Sequence, residues 1–121
     1  MLTEKDYCDY ETSITLGELG FPLKRMKVKN FIEGQYSDSI VTVLLYEAQK
    51  WLREEKHIIV YPEKNSFGWF CATHYNIGKV HRFKYSEEYY DSYEEALSEG
   101  IKEAVKILKE DLLKSLYEQS E

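Results

Sequence analysis

Three histidines (His57, His74, His81), two cysteines (Cys8, Cys71) and an acid-rich stretch from Glu87 to Glu95 carry the side chains of this chain suited to ligation, nucleophilic attack or proton transfer. Their spacing commits none of them. A zinc hydrolase places two histidines at i,i+4 on one helical face, and this chain has no such pair. Cys71 and His74 are three positions apart, which on a strand sends their side chains to opposite faces, so no metal-ligand set is expected. The two cysteines lack the second pair that a disulfide framework or a zinc site needs. Cys71 lies between Phe70 and Ala72 and reads as a buried, inert thiol.

Glu87, Glu88, Asp91, Glu94 and Glu95 surround a loop and the first turn of a helix, where negative charge favours the helix dipole. No glycine loop that would cradle phosphate and no nucleophile elbow is present. The expectation is a non-enzyme, with no catalytic, cofactor-binding or metal residue and no cofactor.

Two groups of residues suit binding better than chemistry. Tyr85, Tyr89, Tyr90 and Tyr93 cluster before the last helix, and tyrosine offers large contact area at low entropic cost. Tyr89 and Tyr90 are the candidate protein contacts, the partner being another protein or a second copy in a homodimer. Arg25, Lys27 and Lys29 alternate along one segment as a cationic stripe, to which Arg82 and Lys84 would add in a shared sheet. Such a stripe can track phosphates or simply stay solvated at a sheet edge. Arg25, Lys27 and Lys29 are the candidate nucleic-acid contacts of the alternative reading, an antitoxin-like regulator. A formal net charge of -6 runs against it, because nucleic-acid-binding domains are normally basic.

The elements that would position these residues can be read from periodicity and caps. Tyr7 to Leu19 reads as a helix capped by Asp6 or Asp9 and closed by Gly20. Lys24 to Phe31 alternates as a strand, Glu33-Gly34 is a turn, and Gln35 to Val41 returns. Thr42 caps a helix to about Lys56, with Leu44, Leu45, Ala48, Trp51 and Leu52 at helical spacing. His57 to Tyr61 is a strand stopping at Pro62, Glu63 to Gly68 a loop, and Trp69 to Tyr75 and Val80 to Tyr85 are strands joined by a glycine turn.

The last helix opens on Ser92-Tyr93-Glu94-Glu95, a capping box. Leu97, Ile101, Ala104, Val105, Leu108 and Leu112 form its apolar stripe. Gly100 interrupts that stripe at a cost of about 1 kcal/mol relative to alanine, which a close helix-to-sheet approach would explain. Residues 117–121 are expected to fray.

A chain of 121 residues with 43% hydrophobic and 31% charged residues suits one domain with its own core. The expected class is α+β: an antiparallel three-stranded meander plus one or two further strands, packed with about three helices, the C-terminal one long. Met1 to Asp6 is charged, unlike a signal peptide, and no apolar run approaches a membrane span. With reduced thiols, this predicts a cytoplasmic protein without membrane association.

The segments Glu4-Lys5-Asp6-Tyr7-Cys8, Gly20-Phe21, Glu47 to Lys56, and Tyr93-Glu94-Glu95-Ala96-Leu97 leading to Gly100-Ile101 carry a resemblance. Over most of its length the chain resembles a family of small uncharacterised proteins encoded by gut anaerobic bacteria and their phage-like mobile elements. Pro22 to Val41 departs from that family's pattern. The resemblance implies a single domain and brings no mechanism with it.

Overall fold

The computed structural model describes residues 2–23, 25–29, 36–40 and 42–119, without the side chains of 25–29, 36–40, 118 and 119. Its centre is an antiparallel meander: β3 (Ile59–Asn65), β4 (Gly68–Ile77) and β5 (Val80–Tyr85), in the spatial order β3-β4-β5. Both hairpins rest on turn chemistry. Ile77 pairs with Val80, leaving Gly78 and Lys79 as the loop, with Gly78 at φ 60°. In the other hairpin the Asn65 side chain accepts from the Phe67 N–H at 2.9 Å, a local bond that favours a turn.

Gly68 closes that turn at φ 137°, and a Cβ there would lie 3.1 Å from the Tyr90 carbonyl oxygen. The strand expected to stop at Pro62 instead continues to Asn65. Because β3 is an edge strand, the missing proline N–H costs it no ladder bond.

One face of the meander receives the helices. α3 (Tyr93–Gln119) lies across β3 and β4, and α2 (Leu45–Glu55) packs against both β3 and α3. Ala96, Leu97, Ile101, Ala104 and Val105 meet Leu45, Ala48, Leu52, Val60 and Cys71 in one core. Gly100 marks the closest approach, where a Cβ would sit 2.1 Å from Cys71 Sγ and 2.6 Å from Val60 Cγ1. The glycine that weakens the helix is what lets it reach the sheet. Glu95 N–H donates to Ser92 Oγ at 3.2 Å, as a capping box requires, but the Glu95 carboxylate accepts from Asp91 rather than from Ser92. The apolar stripe leaves the body after Leu108, so Leu112 is 52% exposed, and the helix runs on to Gln119.

The N-terminal part differs from its sequence reading for one reason. Residues 7–8 and 43–44 pair as extended chain: Cys8 N–H donates to the Val43 carbonyl at 2.8 Å, Tyr7 bridges Leu44, and Val43 N–H donates to the buried Ser13 hydroxyl. α1 therefore starts at Tyr10 and runs to Glu18, capped by Asp9, which accepts from Thr12 N–H at 2.7 Å. Thr42 likewise does not cap α2, which starts after Leu44 without a side-chain cap.

β1 (Arg25–Lys29) and β2 (Tyr36–Ile40) form a two-stranded antiparallel ladder of their own rather than extending the meander. The Glu33-Gly34 turn lies outside the described residues. The architecture is α+β, and among the described residues no helix is long and apolar enough to cross a membrane.

Candidate functional site

Alternation along the meander sorts its side chains onto two faces. Val60, Cys71, Thr73 and Tyr75 point to the helices. Ile59, Tyr61, Glu63, Phe70, Ala72, His74, Asn76, His81, Phe83 and Tyr85 point the other way. The helices leave this outer face open: Ile59 is 45% exposed, Phe83 42% and Tyr85 54%. Ala72 is its floor, buried between its register partners Tyr61 and Tyr85. A small residue there lets large rings close over the sheet from both sides.

The rings form a continuous chain. Tyr61 stacks on His74 (5.5 Å between centroids), His74 meets the edge of Phe83 (4.3 Å), Phe83 meets Tyr85 (4.4 Å), and Tyr85 meets Phe70 (5.5 Å). Tyr89 extends it from Phe70 to Phe67. These offset and edge-to-face arrangements are the favourable ones for aromatic pairs.

A line of hydrogen bonds crosses the same face. The Tyr61 hydroxyl lies 3.0 Å from His74 Nε2, His74 Nδ1 lies 3.1 Å from His81 Nε2, and His81 Nδ1 lies 3.2 Å from Asn76 Oδ1. The ladder register creates this line: Asn76 is opposite His81 and His74 opposite Phe83, which puts the two histidines on a diagonal, within reach of each other across the strands.

The fixed positive charges of the meander strands belong to the helix side. Lys84 forms an ion pair with Glu103 of α3, Lys64 lies over the Trp69 ring, and Arg82, two residues before Lys84, shares its face. The cations of the meander strands therefore lie on the face opposite the connected ring layer.

The two tyrosines singled out in the sequence part company. Tyr89 is 50% exposed at the rim of the outer face. Tyr90 exchanges backbone hydrogen bonds with Trp69, at 2.7 and 3.0 Å, and packs its ring half-buried on the core. Arg25, Lys27 and Lys29 are backbone members of β1, and their side chains lie outside the described residues. Arg82 and Lys84 belong to the other sheet and do not extend that stripe.

Burial removes the thiols from chemistry. Cys71 is 2% exposed and its thiol is pushed up to about 12, chiefly by desolvation. Burial, with the neighbouring Asp9 charge, does the same to Cys8. Both thus hold their protons at neutral pH, whereas the attacking species is the thiolate.

A cleft of about 340 Å³ between α3 and the segment after β5 is lined by Glu87, Glu88, Glu99 and Glu103, of which Glu103 is held by Lys84. Among the described residues no group of three or more His, Cys, Asp or Glu side chains is placed to hold a metal ion.

Sequence reasoning missed the outer face. Its signal was present as period-two spacing, with His81, Phe83 and Tyr85 on one strand and Phe70 and His74 on the next. No family model matches the chain, and neither a curated protein nor a solved structure does.

Proposed function

We propose that this chain is a small cytoplasmic protein-interaction module without catalytic activity, and that the outer face of the β3–β5 meander receives a protein partner. The observation that carries this reading is a connected layer of exposed aromatic rings from whose strands the lysines and arginine point away. Aromatic side chains dominate the energetics of protein interfaces, while charged residues are depleted from their centres. A platform for single-stranded nucleic acid also stacks bases on rings, but pairs them with a cationic groove along the backbone. The segregation of the cations from the rings favours the protein partner.

The test is capture by the immobilised chain from lysate of the producing cell, followed by reconstitution with the purified partner. A Tyr85→Ser, Tyr89→Ser double variant should weaken the reconstituted complex at least about tenfold, the scale of interface hot spots, with an unchanged circular dichroism spectrum. A partner that binds the variant equally well overturns the outer face as the contact. Capture abolished by nuclease replaces the reading with the nucleic-acid-associated one, in which Arg25, Lys27 and Lys29 become the residues to change.

A further inference from the structure

We infer that His74 and His81 form a binding site for a divalent late first-row transition ion, Zn²⁺ or Cu²⁺ in class, on the outer face of the meander. This inference stands on its own geometry and does not depend on a protein partner. The two facing nitrogens, His74 Nδ1 and His81 Nε2, are 3.1 Å apart. Two imidazole nitrogens bound to one tetrahedral zinc at about 2.0–2.1 Å are separated by about 3.3–3.4 Å. A few tenths of an ångström of separation, with each ring turned by up to about 35° so that both lone pairs meet at one ion, convert the pair from a hydrogen bond to a tetrahedral chelate.

The outer nitrogens already have the partners that metal-bound histidines use. A ligating imidazole almost always donates its other N–H to an oxygen, which fixes the tautomer and orients the ring. His81 Nδ1 faces Asn76 Oδ1 at 3.2 Å, and His74 Nε2 faces the Tyr61 hydroxyl at 3.0 Å. Asn76 Oδ1 is an acceptor, so neutral His81 carries its proton on Nδ1 and leaves the Nε2 lone pair free.

In the ion-free chain His74 therefore donates from Nδ1 to His81, and its Nε2 accepts from Tyr61. On ion binding His74 keeps one proton, transferred through solvent from Nδ1 to Nε2. The Tyr61 hydroxyl oxygen changes from donor to acceptor. No buried charge and no unpaired polar atom is created. Two neutral nitrogens make up the protein's share of the ligand set, and water fills the remaining positions.

Imidazole suits zinc and copper and is a poor ligand for magnesium and calcium, which take oxygen. The site is also accessible, since His81 is exposed and His74 half-buried. His57, the third histidine, precedes β3 at the end where Ile59 pairs with His74 and lines a cleft with Asn76, so its substitution tests whether it shares the ion.

The experiment is titration of the untagged chain with ZnCl₂ at constant pH, read by long-range ¹H–¹⁵N spectra of the histidine rings and by calorimetry. The expected result is one Zn²⁺ per chain, with shifts at His74 Nδ1 and His81 Nε2 and transfer of the His74 proton to Nε2. His81→Gln, a change at an exposed position, should lower the affinity at least tenfold. Asn76→Ala should lower it by about tenfold, the lower end of the effect of losing an outer partner. His57→Asn should leave it unchanged. Shifts at His57 alone, an affinity indifferent to His81→Gln, or no ring shift at a tenfold excess of Zn²⁺ over chain would each overturn the site.

Discussion

At the scale of single residues, the close approach of α3 to the sheet is carried by a missing side chain. Gly100→Ala improves helix propensity by about 1 kcal/mol, yet the added Cβ would come within 2.1 Å of Cys71 Sγ and 2.6 Å of Val60 Cγ1. Overpacking of a tight core costs about 1–3 kcal/mol and sometimes more, so the collision outweighs the propensity. Urea unfolding should show Gly100→Ala less stable, by up to about 2 kcal/mol. In a Cys71→Ala background the same change should cost at least about 0.5 kcal/mol less, since residues in contact couple by that much or more. Additive effects would mean that α3 shifts off the sheet rather than clashing with the thiol. The raised thiols give a second check: in the native chain both cysteines should react with a thiol reagent only as fast as local opening exposes them.

At the scale of elements, caps and strand ends show which sequence signals were decisive. Asp9 receives hydrogen bonds from the side chain and backbone N–H of Thr12, which hold its carboxyl below its ordinary value of 3.8. A folded-state value below the unfolded one means the cap contributes fully above the unfolded value and loses its contribution as pH falls through the folded one. Asp9→Ala should therefore cost about 0.5–2 kcal/mol at neutral pH. The gap from the unmodified chain should narrow as unfolding is measured below about pH 4.

His57 is the opposite case, a non-glycine residue just past α2 at φ 56°. The left-handed conformation costs an ordinary residue about 1–2 kcal/mol, and glycine returns part of that gain as lost chain entropy. His57→Gly should thus stabilise the fold by about 0.5–1 kcal/mol in the same unfolding assay. α1, the meander and α3 were legible because a cap or a glycine turn marked each of them locally.

The start of α2 was not legible, because Thr42 carries a cap signature while its neighbours Val43 and Leu44 are hydrogen-bonded to Cys8, Ser13 and Tyr7. The sidedness of β5 was not legible either. Every residue in it is exposed, and apolar Val80 lies on one face with Phe83 and Tyr85 on the other. The histidine diagonal follows from the Gly78-Lys79 loop once pairs are counted back along the ladder. It is a product of register, and spacing along the chain does not display it.

At the scale of the whole molecule, the body and the end of α3 carry different shares of the stability. The α3 side chains that close the core run from Ala96 to Val105, with Ile107 and Leu108 half-buried against it. Beyond them Leu112, Leu113 and Leu116 are 52%, 65% and 54% exposed. Apolar area that stays in water contributes nothing to folding, and a helix end that buries little apolar area is marginal. Removing residues 112–121 should consequently lower the unfolding free energy by less than about 1 kcal/mol, against the 1.5–3 kcal/mol expected for each fully buried leucine. The urea m-value should fall slightly, because little surface is lost from the cooperative unit.

Comparing the full and shortened chains across a hundredfold range of concentration separates the two ways this expectation can fail. A large loss at every concentration would mean that the end of α3 packs on its own body. A loss that grows with concentration would mean that two copies meet along it, since anything binding only the folded chain stabilises it by mass action.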